Sequence, residues 1–246
     1  MEYTRKYLIH YSEIDGKRRL TVPTLIHYLE DIAVLNSEAQ GLTLDYYEKN
    51  SCGWMLLKWD IIIHRLPLFN ETIKIITRPY SFKNFLANRQ YKIFDSSENL
   101  LVEAKTVWLL ADIISRKPLR VPEEMYIKFD TARDSDKYFD KLEDLKPTNL
   151  GNHSLRIKVC EQDIDTNKHV NNVKYVEWAL QSLPSDFVSS HFVYRVIVNY
   201  KKELNLDDEA VVIGSIHNAD EKTESSHSVF SGEKEVCHLK FFWESE

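Results

Sequence analysis

The chain repeats one local pattern at a distance of 150 residues. Residues 13–21, EIDGKRRLT, align with residues 163–171, DIDTNKHVN, and the Ile-Asp pair is identical in both copies. Each copy runs directly into a stretch with helical spacing of apolar residues. Because a duplicated unit implies that one folding solution is used twice, this repeat constrains the fold more than any other feature.

Both copies predict one amphipathic helix. Pro23 suits the first turn of the first helix and Gly41 suits its end. Asn171 or Asn172 suits the N-cap of the second helix, and Pro184 suits its end. The apolar positions that recur at helical intervals are Val22, Leu25, Ile26, Leu29, Ile32 and Ala33 in the first copy, and Val173, Val176, Ala179, Leu180 and Leu183 in the second.

Runs rich in β-branched and aromatic residues surround each helix, in the order strand, helix, four strands. One helix and five mostly antiparallel strands can bury their apolar faces if the sheet curls around the helix. The sequence therefore predicts an α+β fold with two hotdog units in tandem. The predicted strands are 5–11, 54–64, 72–80, 87–94 and 101–112 in the first half, and 154–160, 192–200, 209–217, 224–230 and 234–243 in the second.

The predicted domain organisation has three parts. An N-terminal hotdog spans residues 1–129, a connector spans 130–150, and a C-terminal hotdog spans 151–246. The connector is dense in charge and has little periodicity. Its apolar residues predict that it packs against the body of the protein; these are Tyr138, Phe139, Leu142 and Leu145.

Composition excludes several classes of function. The three cysteines are far apart and in no metal-ligand spacing, so we expect no disulfide framework, no metal and no cofactor; Cys160 and Cys237 are expected to be small buried residues. The net charge of −6 argues against general nucleic-acid binding. No apolar run reaches the roughly 18 residues of a bilayer span, and the first residues lack a signal-peptide core, so we expect a cytoplasmic protein without a membrane span.

Polar side chains with catalytic chemistry precede the second helix. Asp165, Asn167 and His169 alternate along the chain, and alternation in an extended segment projects side chains to one side. The helix start adds N–H donors suited to an oxyanion. The first copy keeps Asp15 but has Lys17 and Arg19, which predicts one active and one vestigial site. The alternative is that the Asp and Asn only shape a turn and that the histidine is structural.

A family resemblance rests on these residues. The pattern DxNxHVNNxxYxxW, from Asp165 to Trp178, resembles the signature of the acyl-acyl carrier protein (ACP) thioesterases of plants and bacteria. Residues 54–56 (WML), 65–67 (RLP), 104–108 (AKTVW) and 120–124 (RVPEE) resemble that family's N-terminal landmarks. The resemblance covers nearly the whole chain and implies hydrolysis of acyl-ACP to free fatty acid and carrier protein.

The resemblance also implies a mechanism. Glu203, which follows Tyr200 and two lysines, would belong to the site, whereas the corresponding part of the first half has Pro67. Leu204 stands where the family has been described with a cysteine, so a thiolate mechanism at that position is excluded. Water would attack the thioester carbonyl, with Glu203, alone or with Asp165, as general base; Asn167 would hold the water or oxyanion. His169 would orient a carboxylate or protonate the leaving thiolate, and the alternative for Glu203 is an exposed strand-end charge.

The resemblance places an acyl tunnel between the helix and sheet of the first hotdog. Candidate lining residues, each equally compatible with an ordinary core, are Ile32, Leu35, Met55, Leu57, Trp59 and Trp108. Because the carrier protein is acidic, docking is expected on local groups of basic residues, although such groups also occur as ordinary solvated surface. The candidate docking residues are Lys17, Arg18, Arg19, Arg116, Lys117, Arg120, Lys201 and Lys202. Chain-length preference stays open.

Three other functions stay open at this stage. An acyl-coenzyme A thioesterase of the hotdog class would use the same catalytic groups with a different docking surface. A non-catalytic acyl-chain binding module would keep the tunnel but would not need the four polar residues. A hotdog dehydratase is disfavoured because its histidine motif is not found. Since a double hotdog supplies internally the pairing that single hotdogs obtain by dimerising, both a monomer and a homodimer are compatible with the sequence.

Overall fold

The computed structural model describes residues 1–132, 137, 139–148, 151–219 and 222–246. The chain divides into two compact units, Met1–Leu142 and Glu143–Glu246. Each unit contains one long helix and one five-stranded antiparallel sheet. The predicted α+β class with two hotdog units is therefore confirmed. Within the described ranges, no helix combines the length and the hydropathy needed to cross a bilayer.

The first unit arranges its sheet in the order β1-β3-β4-β5-β2, and every neighbouring pair is antiparallel. Helix α1 buries the predicted stripe from Val22 to Ala33, and it contacts β1 and β3. The elements are β1 (Tyr3–Leu8), α1 (Val22–Ala39), α2 (Leu44–Lys49), β2 (Cys52–Ile63), β3 (Thr72–Lys83), β4 (Leu86–Phe94), β5 (Leu100–Asp112) and α3 (Glu123–Lys128).

The second unit has the same topology, with its sheet in the order β6-β8-β9-β10-β7. Helix α4 contacts β8, β9 and β10 through its buried face. The elements are β6 (His153–Lys158), α4 (Asn172–Gln181), α5 (Ser185–Ser190), β7 (His191–Tyr200), β8 (Glu209–Ala219), β9 (Lys222–Ser231) and β10 (Lys234–Ser245).

All ten predicted strands are present, and the differences lie at element ends and in short helices. β1 ends at Leu8, before the predicted end at Tyr11, because Tyr11–Glu13 form a 3₁₀ turn. The carboxylate of Glu13 closes this turn by accepting the N–H of His10 at 2.7 Å. Helices α2, α3 and α5 were not predicted. Each has six residues, which is too short to show a periodic apolar stripe.

A buried asparagine in each unit binds the neighbouring part of the predicted connector. The Asn88 side chain accepts the N–H of Asp140 at 2.8 Å and donates to its carbonyl at 3.3 Å. The Asn199 side chain accepts the N–H of Leu145 at 2.7 Å and donates to the carbonyl of Glu143 at 3.1 Å. Each side-chain amide thus pairs with the connector backbone as a neighbouring strand would.

The described part of the connector therefore packs against its own unit. Phe139, Leu142 and Leu145 are half-buried, as predicted. Tyr138 lies outside the described residues, as do residues 133–136 and 149–150. Residues up to 142 belong to the first unit and residues from 143 belong to the second. The three-part boundaries at 129 and 150 stay a prediction.

Candidate active site

The second copy of the repeated segment folds as a tight turn just before α4. The N–H of Asp165 donates to the carbonyl of His169 at 2.8 Å, and the N–H of Lys168 donates to the carbonyl of Asp165 at 3.1 Å. Lys168 adopts a left-handed backbone with φ of 63°. The prediction of an extended segment is therefore wrong. Because hydrogen bonds close the backbone on itself, the turn, and not strand alternation, positions the three polar side chains.

The carboxylate of Asp165 lies at the centre of this turn. Its Oδ1 accepts the N–H of Asn167 at 2.8 Å and the N–H of His169 at 3.3 Å. Its Oδ2 accepts the Asn167 side-chain amide at 3.3 Å. The carboxylate thus performs the turn-forming role that the sequence offered as an alternative, and it also fixes the orientation of the Asn167 amide.

His169 and Glu203 meet beside the turn. Nε2 of His169 lies 3.4 Å from Oε2 of Glu203, and about a third of the Glu203 side chain is exposed. Glu203 follows the end of β7, and the next carbonyl, that of Leu204, accepts the N–H of Val170 at 2.8 Å. This backbone bond holds the Glu203 segment against the turn. The four predicted site residues are thereby brought together within the second unit.

The side chain of the residue before α4 caps the start of this helix. Asn171 is the N-cap, and its Oδ1 accepts the N–H of Val173 at 2.9 Å. The hydroxyl of Tyr200 donates to the carbonyl of Asn172, the first helical residue, at 3.0 Å. Since the cap already uses the Val173 N–H, that donor cannot serve an oxyanion while the cap is formed.

The first copy builds the same turn with different chemistry. Oδ1 of Asp15 accepts the N–H groups of Lys17 and Arg19 at 2.9 and 2.8 Å. Nη2 of Arg19 lies 3.0 Å from Oδ2 of the same carboxylate. The Asp15 charge is therefore paired with a guanidinium, and no imidazole is present at this position. This contrast supports the prediction of one active and one vestigial copy.

The first-unit counterpart of Glu203 is Leu66, and the predicted match with Pro67 is wrong by one residue. Pro67 corresponds to Leu204, because the carbonyl of each accepts the N–H of the residue that directly follows the turn. The loops between turn and strand differ in length, so the 150-residue offset does not extend to this position. In the first unit, the N–H groups of His64 and Arg65 both donate to the carbonyl of Leu101, and in the second unit those of Lys201 and Lys202 both donate to the carbonyl of Val236. The N–H of Leu20 donates to the carbonyl of Pro67, and the N–H of Val170 donates to the carbonyl of Leu204.

The six predicted acyl-lining residues lie in the helix and sheet of the first unit. Ile32 and Trp59 are fully buried, and Trp108 packs against a core cluster that includes Phe82 and Met125. Leu57 is the extra residue of a β-bulge in β2. Leu35, Met55, Leu57 and Trp108 are half-buried. The tunnel itself stays a prediction.

The predicted docking residues fall into three groups. Lys17 and Arg18 are exposed in the first-copy turn, whereas Arg19 is half-buried and paired with Asp15. Lys201 and Lys202 are exposed immediately before Glu203, so they alone share a unit with the candidate site. The remaining three are exposed in the loop after β5; these are Arg116, Lys117 and Arg120.

Two buried polar residues of the first unit were missed. Arg89 lies on the face of β4 that also carries Ala87, Tyr91 and Ile93, and Asn36 continues the buried stripe of α1. The sequence contains a signal for the burial of each residue. Strand alternation places Arg89 at an inward position, and helical spacing places Asn36 in the apolar stripe of α1. The other buried residues on these two faces are mostly apolar.

The two cysteines predicted to be buried, Cys160 and Cys237, differ in their exposure. Cys237 is buried, and burial raises the pKa of its thiol. Cys160 is exposed, contrary to prediction, because it stands at the edge of a 3₁₀ turn where its S–H contacts the Asp163 carboxylate at 3.2 Å. In the part of the chain that the structure describes, no three His, Cys, Asp or Glu side chains are grouped to hold a metal ion.

Comparison with known proteins finds family models that match both units. The family model of the acyl-ACP thioesterase N-terminal domain matches residues 1–129, and that of the C-terminal domain matches residues 148–245. A chloroplastic palmitoyl-acyl carrier protein thioesterase of Gossypium hirsutum is 25% identical, with 96% of this chain and 59% of that protein covered. Oleoyl-acyl carrier protein thioesterase 1 of Arabidopsis thaliana is 23% identical, with 85% and 62% covered. The chain thus spans about three-fifths of the length of these curated relatives.

Solved structures have the same fold. A putative oleoyl thioesterase from Lactobacillus plantarum superposes with a TM-score of 0.91 at 23% identity, covering 100% of this chain and 96% of that one. An acyl-ACP thioesterase from Bacteroides thetaiotaomicron has a TM-score of 0.85 at 20% identity, covering 99% and 98%. The predicted tandem hotdog is confirmed, and the two domain models together show that the chain belongs to the acyl-ACP thioesterase family.

Proposed function

We propose that the chain hydrolyses fatty acyl-ACP thioesters to free fatty acid and carrier protein. The observation that carries this proposal is the contact between His169 and Glu203, 3.4 Å apart, beside a turn in which Asp165 holds the Asn167 amide. The first copy has the same turn but pairs its carboxylate with an arginine. Membership of the acyl-ACP thioesterase family indicates thioester hydrolysis as the reaction, and the four candidate site residues are suited to it.

The proposed mechanism assigns one role to each side chain. Glu203 is partly exposed, so water can reach its carboxylate, which accepts the proton as the water oxygen bonds to the thioester carbonyl carbon. One N–H of the Asn167 amide is used by Asp165, and the second remains to bind the water or the oxyanion. When the carbon–sulfur bond breaks, His169 passes the proton from Glu203 to the leaving thiolate.

We propose that the acidic carrier protein docks beside this site on Lys201 and Lys202. Both side chains are exposed, and they directly precede Glu203 in sequence. The cations of the first unit would add longer-range attraction. The predicted cytoplasmic location and the choice between monomer and homodimer stay predictions, and the names of the plant relatives place those proteins in chloroplasts.

Thiol release from matched substrates tests the proposal. Purified protein is incubated with acyl-ACP of several chain lengths and with the corresponding coenzyme A esters, and His169→Ala is compared with His64→Ala. His64 is an exposed histidine 3.6 Å from Glu103, outside the site. We expect higher kcat/KM with the carrier protein and a loss of about 10²–10⁴-fold only in His169→Ala.

The other outcomes each point to a different function. Faster thiol release from the coenzyme A esters would support thioester hydrolysis at this site, but with coenzyme A in place of the carrier protein. Absence of release from both substrates, with the acyl chain retained by the protein, would favour the non-catalytic binding module. Equal activity of the two histidine variants and the wild type would remove the proposed site.

A further inference from the structure

A buried polar cluster occupies the helix-facing side of the first unit's sheet. It contains one residue of α1 and five residues from four strands, and each of them is at most 6% exposed. We call this set the Arg89 cluster; its members are Asn36, Trp59, Thr77, Arg89, Tyr91 and Thr106.

Arg89 is the only charged residue of the cluster, and its hydrogen-bond partners are neutral. Its Nη1 donates to Oδ1 of Asn36 at 2.9 Å and to Oγ1 of Thr77 at 3.2 Å. Its guanidinium carbon lies 5.8 Å from the ring centre of Phe129. Burial lowers the pKa of Arg89, and no ion pair of this residue is found among the described residues. A buried cation without a counter-charge destabilises the fold, because burial removes its hydration and no opposite charge replaces it.

The same cluster contains buried polar atoms without hydrogen-bond partners. These atoms are Nδ2 of Asn36, Nε1 of Trp59 and the hydroxyl of Tyr91. Each such atom is unfavourable, because burial removes its hydrogen bonds to water and no protein group replaces them. No buried side-chain polar atom of this kind is found in the described residues of the second unit.

The strand register brings these groups onto one face. Thr106 of β5 lies directly opposite Trp59 of β2 on one side and Arg89 of β4 on the other. Tyr91 follows Arg89 by two residues, so both side chains project from the same face. The Trp59 and Tyr91 ring centres are 5.2 Å apart. The donors therefore point into the same region between sheet and helix.

This region coincides with the predicted acyl tunnel. Trp59 belongs both to the cluster and to the predicted lining. Nε1 of Trp108, a second lining residue, donates to Oγ1 of Thr106 at 2.7 Å. Ile32, a third, lies one helical turn before Asn36 on the buried stripe of α1. An acyl chain placed against these residues would bring its far end close to the Arg89 guanidinium and the buried hydrogen-bond donors. A methyl group at that end could not form hydrogen bonds with them.

We propose that the first unit binds acyl chains whose far end carries a carboxylate, and that Arg89, together with the Asn36 amide, selects them. The inference rests on the proposed function for the position of the acyl chain. A carboxylate supplies the missing negative charge and up to four acceptor positions for the guanidinium and the unpartnered N–H groups. A purely structural Arg89 would explain its bonds to α1 and β3, but not the uncompensated charge or the unpartnered donors.

Binding of paired esters tests this inference without requiring turnover. The probes are monomethyl esters of α,ω-dicarboxylic acids and methyl esters of monocarboxylic acids with the same chain lengths, titrated calorimetrically into the full chain. We expect the carboxylate-ended ester of one length range to bind at least tenfold more tightly. Arg89→Met should abolish this preference, whereas Arg78→Met, at an exposed arginine of β3, should retain it.

Equal binding of the two ester series, or an undiminished preference in Arg89→Met, would overturn the inference. If Arg89→Met does not fold, Arg89→Lys and Asn36→Leu replace it. Arg89→Lys keeps the charge without the guanidinium fork, and Asn36→Leu removes the amide. We expect each to reduce the preference, and full retention in both would overturn the inference.

The outcome is distinguishable from failure of the proposed function. Carboxylate-selective binding without hydrolysis of any acyl-ACP would support the Arg89 assignment while removing the thioesterase assignment. Hydrolysis of ordinary acyl-ACP together with equal binding of both ester series would do the reverse.

Discussion

At the scale of single residues, the two copies show how one turn can carry two kinds of chemistry. Asp15 and Asp165 accept the same backbone N–H groups, so the turn requires the carboxylate in both places. The difference lies four residues later. Arg19 bonds to its own aspartate, whereas His169 contacts Glu203. The side chain at the last position of the turn, and not the turn backbone, therefore distinguishes the candidate active site.

Glu203→Gln tests the assignment of the general base. The amide keeps the size of the side chain but cannot accept the proton of water at neutral pH, so kcat should fall by about 10²–10⁴-fold with little change in KM. Glu103→Gln is the matched control, because Glu103 also lies near a histidine but outside the site. Near-normal turnover in Glu203→Gln, with loss in Asp165→Asn, would transfer the role of base to Asp165.

A second residue-scale prediction concerns acid stability. His227 is buried, its Nδ1 lies 3.2 Å from Oγ of Ser182 and its Nε2 lies 3.0 Å from Oγ of Ser225. Burial lowers its pKa from 6.5 to about 3. The unfolded chain therefore binds a proton below pH 6.5 that the folded chain does not bind until about pH 3. The free energy of unfolding should consequently decrease as pH falls through this window, by at most about 1.4 kcal/mol per pH unit.

Chemical denaturation at several pH values measures this contribution. His227→Asn should be less stable than the wild type at pH 7, because packing and hydrogen bonds change, but its stability should depend less steeply on pH between 6.5 and 3. His64→Asn, at an exposed histidine, should keep the wild-type slope. Parallel curves for the wild type and His227→Asn would contradict a neutral buried imidazole.

At the scale of elements, alternation and helical spacing predicted the strands and the two long helices, since one face of each is buried. The short helices α2, α3 and α5 depend on local caps and tertiary contacts, which leave little periodic signal. The connector is a similar case. Its packing depends on Asn88 and Asn199, two residues inside strands whose partners are distant in sequence.

Removing one of these amides should destabilise its unit. Asn199→Ala leaves the backbone N–H of Leu145 and the carbonyl of Glu143 without their partners, so we expect a loss of about 1–3 kcal/mol in the free energy of unfolding. Asn152→Ala, at an exposed asparagine, should be nearly neutral. An Asn199→Ala protein as stable as this control would show that the connector contributes little to the unit.

At the scale of the whole molecule, the repeat predicted the double fold, and the uneven distribution of charge predicts that an acidic partner approaches the first half or the junction. Lys+Arg and Asp+Glu number 22 and 22 in residues 1–150, but 10 and 16 in residues 151–246. Lys201 and Lys202 are therefore exposed cations in an otherwise acidic half, next to Glu203.

Charge reversal tests this docking surface. Lys201→Glu combined with Lys202→Glu should raise KM for acyl-ACP more than it lowers kcat, and it should weaken the dependence of kcat/KM on salt. Lys83→Glu combined with Lys92→Glu, at exposed lysines of β3 and β4, makes the same change of charge in the other unit. Equal effects of the two reversals would indicate general electrostatics and no local docking surface.

The sequence named the four candidate site residues, but it did not predict their geometry. The turn at Asp165 is closed by backbone hydrogen bonds that also form around Asp15, and a glycine-free segment gave no sign of its left-handed residue, Lys168. The counterpart of Glu203 was misaligned because loops of different length precede it. Strand alternation places Arg89 at an inward position of β4, and this is the sequence signal for its burial.

The most direct test of the central claim compares the same substitution in the two turns. Asp165→Asn and Asp15→Asn both keep an oxygen that can accept the turn N–H groups, and Asp15→Asn also loses a partly exposed ion pair of small energetic value. We predict that both variants fold and that only Asp165→Asn loses hydrolysis of acyl-ACP, measured as thiol release under saturating substrate. Equal activity of the two variants, whether both are retained or both are lost, would contradict the assignment of catalysis to the second turn.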